Sequence, residues 1–499
     1  MSTRIDRRDF LKKMGVGAAA VAMPKLVYGM AAPIKRPNLL FVFADQFRKH
    51  AMGFMNQDPA ITPNFDKFAQ EGLAFTNAVS CCPICTPFRA MLMTGRYPLT
   101  TGMTSNCMPG TDLQMSADEI CIGDVLKANG YQTGYIGKWH LEIPTRNRSK
   151  NPPDEPKDSW DGWTPPGPRR HGFDFWYAYN CNGSHFDPVY WKDNPERIDI
   201  EQWSVEHETD IAIDFIRNRK KDKPFALFMS WNPPHPPFIA PEKYKALYKD
   251  KELPPRANVQ SSDKYETVYM PYYAAVTSCD DNFGRLLKAL DNLGLTDNTI
   301  VVFTADHGEM MGSHGRFAKS IWYDESIGIP FIIRWPGRIK PRREDMPFAV
   351  YDFMPTLLGL MGLPIPNTVE ATDYSRLMLG KKTKRPSSAF ITSYGNRGRL
   401  LAVGQKPSQW ALQAEEIRKK GIDWRTVGYR GLRTKRYTYV VNRGPEGKNL
   451  KRLLYDNAKN PYQLNPVEAT NADENPIMAK LDKELQQWLD KMNDPFPLR

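Results

Sequence analysis

Few cysteines and few long apolar runs set the first limits on this 499-residue chain. The seven cysteines (Cys81, Cys82, Cys85, Cys107, Cys121, Cys181 and Cys279) are sparse and odd in number, which argues against a disulfide framework. Cys81-Cys82-Cys85 is a tight cluster, but no second Cys/His pair at zinc-like spacing stands beside it, so a zinc site is not expected. The apolar stretch at residues 14–23 is too short to cross a bilayer, and no other run is long enough, so no stable membrane span is expected. No basic helix and no aromatic–basic repeat appears, which sets nucleic-acid binding aside. Internal repeats and low-complexity tracts are absent too, which excludes a repeat architecture.

What is present belongs to a globular protein, with 41% apolar and 12% aromatic residues and enough length for one large domain and a smaller one. Forty-two prolines point to long irregular loops. The net charge is +12, and removing the six basic and two acidic residues of 1–31 leaves +8. That excess reads either as a soluble basic protein or as a field that gathers anionic substrates into a cleft. The segment Asp6-Arg7-Arg8-Asp9-Phe10-Leu11-Lys12 resembles a twin-arginine export signal, with apolar residues 14–23 and small residues near 29–32 following in the expected order. Residues 1–31 are therefore expected to be a signal peptide and the protein to be periplasmic or secreted. This route carries folded proteins, so the fold need not await oxidation.

Past the signal, short apolar runs alternate with helical patterns, as in a parallel α/β sheet covered on both faces. Strands are predicted at 38–44, 132–136, 225–231 and 299–305. Helices are predicted from Thr62-Pro63 to Gly72, at 119–128 and at 273–292, with Thr62 as N-cap. Residues 142–180 lack periodicity and are rich in Pro, Gly, Trp and Arg, which suits a long functional loop. From about 376 the pattern turns to short β-like pieces at 389–394, 428–433, 437–441 and 452–455, then an amphipathic helix at 478–492. The expected fold is a large, mostly parallel sheet sandwiched by helices. A smaller antiparallel-sheet subdomain with a terminal helix follows it, the two dividing at residues 32–375 and 376–499.

The chemistry gathers where these strands end. Asp45-Gln46 follows the first, Gly137-Lys138-Trp139-His140 the second, Asn232-Pro233-Pro234-His235 the third and Asp306-His307-Gly308 the fourth. In open α/β sheets this edge is where ligands bind. Asp45, Gln46, Asp306 and His307 look like a site for a hard cation such as calcium, with magnesium or manganese also admitted. Lys138, His140, His235 and Lys319 add cations and donors suited to an anion held beside it, although lysines are more often solvated surface.

Cys85-Thr86-Pro87-Phe88-Arg89, with Thr94-Gly95-Arg96 after it, resembles the sulfatase signature Cys-x-Pro-x-Arg followed by Thr-Gly-Arg. Gly137-Lys138-Trp139-His140, Pro234-His235-x-Pro237, Ala305-Asp306-His307-Gly308, Gly312-x-His314-Gly315 and Lys319 follow in the order of type I sulfatases. The same holds for Arg433-Thr434-x-Arg436-Tyr437 and Leu454-Tyr455-Asp456 near the C-terminus. The resemblance implies that a maturation enzyme oxidises Cys85 to formylglycine, and that Asp45, Gln46, Asp306, His307 and the modified Cys85 hold one divalent metal. It further implies that Arg89 steadies the formylglycine, that Lys138 and His140 contact nucleophile and sulfate, and that His235 and Lys319 bind sulfate and assist the leaving oxygen. His314 reads equally as a substrate contact or as support. Gln46 and His307 stand where many members have Asp and Asn, a pair shared with choline-sulfatase-like and phosphonate-monoester-hydrolase-like relatives.

The implied reaction is hydrolysis of a sulfate ester, in which a hydrated aldehyde offers one hydroxyl to attack sulfur and a second to expel the sulfate. Trp160, Trp163, Arg169, Arg170, His185 and the rest of 185–191 either line a pocket for a sulfated saccharide or pack the long loop. Export and these aromatics favour a sulfated carbohydrate. The rival readings are a phosphodiester or phosphonate monoester hydrolase, and an inactive anion-binding protein.

Overall fold

The computed structural model describes residue 7 and residues 36–108, 111–143, 161–181, 184–260, 265–394, 409–444 and 450–499. Trp160 and the expected signal peptide, apart from Arg7, lie outside the described residues.

The chain begins its first sheet with β1 (Asn38–Ala44), β2 (Leu73–Val79), β3 (Gln132–Lys138) and β4 (Phe175–Tyr179). Two short strands, β5 (Val189–Tyr190) and β6 (Ile198–Asp199), pair only with each other. The first sheet continues with β7 (Phe225–Trp231), β8 (Thr299–Ala305), β9 (Gly328–Arg334), β10 (Arg342–Glu344) and β11 (Phe348–Ala349). Its order is β10-β2-β9-β8-β1-β7-β3-β4, with β11 also on β2. Only β9 runs against its neighbours, so the sheet is mostly parallel.

Burial on both faces explains the unbroken apolar runs. Every residue of β1, β7 and β8 is buried. Phe43 of β1 meets Phe88 on the helix Cys85–Thr94. Val42 stands beside Phe303 of β8 in register, and Phe303 turns the other way, onto Phe65 and Phe283 of the helices Pro63–Glu71 and Tyr265–Asn292. Alternate side chains along these strands thus enter two separate helical layers.

Several local expectations are corrected. Thr62 precedes the helix Pro63–Glu71 but its hydroxyl makes no cap, because it donates to Asp66 and accepts from the Gly53 amide. Gly72 is extended rather than left-handed; a Cβ there would stand 2.7 Å from the Ile333 carbonyl oxygen, so close approach to β9 excludes a side chain. The helix expected at 119–128 spans Ile122–Ala128, because Asp124 turns back to accept from the Cys121 amide and fixes the start there. The helix expected at 273–292 begins at Tyr265 and runs through Pro271. The loop expected at 142–180 ends in β4, whose aromatics stack on Tyr135 and Tyr190.

The second sheet is antiparallel, in chain order β12 (Ser388–Tyr394), β13 (Gly428–Thr434), β14 (Tyr437–Arg443), β15 (Leu450–Asp456) and β16 (Val467–Ala469). A last helix, Pro476–Met492, is capped by the Asn475 side chain and buries Leu481, Leu485 and Leu489.

Candidate active site

β1, β3, β7 and β8 are parallel, so their carboxyl ends share one edge. Asp45, His140, Asn232, His235, Asp306 and His307 leave from that edge, and Lys138 closes β3. The helix Cys85–Thr94 starts there, with Cys85 in its first turn, where the positive end of the helix favours an anion. Thr86 fastens this start: its hydroxyl donates to the His140 carbonyl at 2.7 Å and accepts from the Cys107 amide at 3.2 Å.

Ligand atoms of Asp45, Cys85, Asp306 and His307, all buried, lie within 4.8 Å of one another. The Cys85 sulfur is 3.2 Å from His307 Nε2 and 3.7 Å from Asp45 Oδ1. His307 Nδ1 faces the Gly308 carbonyl at 3.0 Å. That oxygen only accepts, so Nδ1 carries the proton and the Nε2 lone pair looks at the thiol and the carboxylates. Arg89 donates to Asp45 Oδ2 at 3.1 Å, Asp306 Oδ2 at 3.2 Å, the Lys138 carbonyl at 2.6 Å and Ser230 Oγ at 2.7 Å. The Lys138 ammonium lies 2.7 Å from Asp45 Oδ2 and donates to Asn232 Oδ1 at 3.2 Å. Asn232 in turn points its NH2 at His185 Nδ1, while His185 Nε2 donates to the His235 carbonyl at 2.7 Å. Gln46, at φ 62°, accepts from the Lys319 ammonium and donates to Glu309.

Charge explains the protonation of this cluster. Burial alone would raise Asp45, but the charges of Lys138 and Arg89 hold its carboxyl well below the usual range. Asp306 is pushed up to about 7 by burial and by Asp45. Burial and Asp45 push the Cys85 thiol up, yet the positive groups around it, Lys319 and Lys138 foremost, bring it down to about 6. His235 is held well below its ordinary value by burial, Lys319 and Lys138. An ionised buried carboxylate beside a second one that it pushes up, both facing an imidazole lone pair, is a donor set that fits a divalent cation.

Arg170 and His314, expected near the substrate, are not drawn into this centre. Arg170 fastens its own loop, donating to the Thr164 and Lys192 carbonyls and to Asp193. His314 stacks on Tyr323 at 3.7 Å and contacts Asn258. Arg169 pairs with Glu142, and Trp163 donates to the Lys192 carbonyl, so the described part of this loop is held by packing. His185 is present but buried, braced against the His235 backbone. Cys81 and Cys82 belong to neither group of His, Cys, Asp and Glu that comes close enough to hold a metal among the described residues. Glu309, Ser230 and the bridging role of Asn232 escape the sequence reading. Glu309 had a signal, its place directly after Asp306-His307-Gly308.

A buried cysteine at a helix start, clustered carboxylates and cationic groups around them suit a hydrolase of anionic esters. A family model described as Sulfatase matches residues 37–363. The chain is 36% identical over 499 residues to an endo-4-O-sulfatase of Bacteroides thetaiotaomicron, covering 94% of each. It is 35% identical to an ulvan-active sulfatase of Formosa agariphila, covering 93% of this chain and 83% of that one. A solved structure from work on the metabolism of multiple glycosaminoglycans by Bacteroides thetaiotaomicron superposes with TM-score 0.82 at 36% identity, covering 92% of this chain and 97% of that one. The chain belongs to the sulfatase family and is a sulfuric ester hydrolase. No helix among the described residues is long and apolar enough to cross a membrane.

Proposed function

We propose that this sulfatase releases sulfate from a sulfated saccharide in an exported compartment, with Cys85, oxidised to formylglycine, as nucleophile. The observation that carries this reading is the position of Cys85: first turn of a helix, 3.2 Å from His307, 3.7 Å from Asp45, and within the field of the Lys319 and Lys138 ammonium groups. The names of the ulvan-active and endo-4-O-acting relatives, and the glycosaminoglycan setting of the solved structure, support a glycan as the substrate.

Asp45, Asp306, His307 and the Gln46 amide oxygen would hold one divalent cation, calcium first with magnesium or manganese also admitted, because predominantly oxygen donors suit hard cations. Bound there, it would offset the sulfate's charge and acidify an adjacent hydroxyl. Formylglycine, when hydrated, supplies one hydroxyl to attack and another to expel sulfate, and it needs a maturation enzyme. Arg89 ties both carboxylates to the backbone of β3, which fixes their spacing. Lys138 and His140 hold the nucleophile and sulfate oxygens; His140 Nε2 donates to the Cys107 carbonyl, and its buried Nδ1 has no protein partner and so can meet an incoming hydroxyl. His235 keeps its proton on Nδ1, toward the Pro236 carbonyl, and is neutral before substrate arrives. The Lys319 ammonium is therefore the ready donor to the departing alcohol, and His235 gains a proton as the anion's charge raises it. We assign residues 1–31 to a twin-arginine signal, 32–375 to the catalytic domain and 376–499 to the C-terminal subdomain.

The test is sulfate release across defined sulfated oligosaccharides, with matched phosphate and phosphonate esters in parallel. Active protein is expected to carry formylglycine at residue 85 in its tryptic peptide, and Cys85→Ala to fold but not turn over. Unmodified Cys85 in fully active protein, or wild-type rates in Cys85→Ala, rejects the nucleophile. A preference for the phosphonate ester rejects the substrate class.

A further inference from the structure

The loop after β8 holds four non-glycine residues in the left-handed region: Met311 at φ 44°, His314 at 55°, Ala318 at 66° and Ser320 at 75°. Side chains resist that conformation, so local contacts must impose it. The Asn258 carbonyl accepts from the His314 amide and the Pro83 carbonyl from that of Ser320, and Glu309 holds the other two. It is fully buried, and its Oε1 accepts from the amides of Met311 at 2.9 Å and Ala318 at 2.7 Å. Its Oε2 accepts from Gln46 Nε2. On the far side of the same amide, the Lys319 ammonium donates to Gln46 Oε1.

The chemistry of these partners fixes a direction. A carboxylate only accepts, and an ammonium only donates. A primary amide set between them has one stable orientation, NH2 toward Glu309 and oxygen toward Lys319. We infer that Glu309 is a positioning residue that sets the polarity of the Gln46 amide, so that its oxygen, not its NH2, faces the cation site. The same carboxylate pins the loop that delivers Lys319. This rests on the reading in which Asp45, Gln46, Asp306 and His307 hold a cation.

Glu309→Gln tests the direction. The backbone amides of Met311 and Ala318 need the new side chain's oxygen, which leaves its NH2 against residue 46. Gln46 must then turn its oxygen inward and its NH2 outward. Calcium affinity, measured by titration calorimetry on the full chain, is expected to fall about 10–100-fold, the usual effect of losing a group that orients a ligand. In the exchanged pair Gln46→Glu with Glu309→Gln, residue 46 accepts from the new NH2 and still presents an oxygen to the cation. Its affinity is expected to return to within a few-fold of wild type. Gln46→Glu alone sets two carboxylates face to face and is expected to bind calcium more weakly than the exchanged pair.

If residue 309 contributed only charge, Gln46→Glu would add a negative ligand and bind tightest of the set. That result, or wild-type affinity in Glu309→Gln, overturns the inference. It also covers a Glu309→Gln variant that fails to fold, because the two Gln46→Glu proteins are compared with each other. Asp306→Asn is measured alongside. If it loses calcium while Glu309→Gln keeps it, only the inference falls; if it keeps calcium, the cation site falls and the inference with it.

Discussion

At the scale of single residues, Arg89 carries the strictest demand. It is fully buried, lies over the Phe43 ring at 5.0 Å, and divides its donors among two carboxylates, a carbonyl and a hydroxyl. A planar guanidinium can span these acceptors from two nitrogens; a lysine's single nitrogen cannot. Arg89→Lys therefore leaves Asp45 and Asp306 under-compensated. The expected loss is about 3–5 kcal/mol of stability, the range seen when one partner of a buried pair is removed. A fall in turnover of about 100-fold should accompany it, since both carboxylates lose their spacing. Denaturant midpoints and sulfate release measure the two effects, and an unchanged midpoint with unchanged rate contradicts the account. Arg89 was legible because it stands four residues after Cys85 in a specific motif. Glu309 had only its place after Asp306-His307-Gly308 as a signal, because its meaning lies in Gln46, a residue 263 positions away, and in two backbone amides. Arg170, an arginine among aromatics, reads as a ligand contact, while in the fold its partners are the Thr164 and Lys192 carbonyls and the Asp193 carboxylate.

Among the elements, β3 and the helix Ser204–Arg217 make a buried contact with a pH signature. Glu208 is fully buried; its Oε1 accepts from Tyr190 at 2.8 Å, and its Oε2 has no protein partner. It lies beneath Gly137, where a Cβ would meet the Ser230 carbonyl oxygen at 2.3 Å and Glu208 Oε2 at 2.9 Å, which is why the residue before Lys138 must be glycine. Burial raises the Glu208 carboxyl to about 8, only partly offset by the Tyr190 hydrogen bond. A raised acid binds its proton more tightly when folded. Its contribution is thus complete below the ordinary glutamate range and lost as pH climbs through about 8. Glu208→Gln keeps an acceptor for Tyr190 and cannot ionise. The stability difference between variant and wild type should therefore grow in the variant's favour from pH 5 to pH 9, by up to about 3–5 kcal/mol. A difference independent of pH, followed by chemical denaturation, would show that Glu208 is already ionised. Strands such as β1, β7 and β8 were readable because burial on both faces leaves an unbroken apolar run. β2 was hidden because one residue, Gly72, separates it from the preceding helix, and β9 because Gly328 and Pro330 interrupt its pattern. The end of β4 was lost inside a Trp- and Pro-rich stretch whose composition reads as loop.

Across the whole molecule, the second sheet braces the site from behind while the mouth is left to loops. The β12 residue Thr392 donates its amide to the Cys81 carbonyl at 2.8 Å, four residues before Cys85. Arg433 of β13 donates to Asn77 and lies 3.1 Å from Asp324, which also meets Lys49 at 2.8 Å. Burial would raise Asp324, but Arg433, Lys49 and His50 hold it well below the usual range, so this junction is charged and joins both sheets. The innermost groups, Cys85, Lys138 and His140, are buried, whereas His235 and Lys319 are half-buried and mark the way in. The loops bearing His185, His235 and Lys319 each expose a large apolar side chain: Phe186 at 38%, Ile239 at 36% and Phe317 at 40%. Exposed apolar side chains on the loops that also carry site residues would suit, on the proposed reading, the apolar face of a sugar ring adjoining the sulfated one. On the proposed reading, a sulfated monosaccharide held by the charged groups has no need of these side chains, whereas a longer chain extends toward the loops that carry them. Phe186→Ala and Phe317→Ala should therefore raise KM for a sulfated oligosaccharide by about 5–30-fold each, the equivalent of about 1–2 kcal/mol of apolar contact. The same substitutions should leave kcat and KM for the matching sulfated monosaccharide near wild type, because the charged groups that hold the sulfate are untouched. Equal losses on both substrates would mean that these rings support the catalytic loops instead, and losses on neither would place the extended saccharide along another face of the mouth.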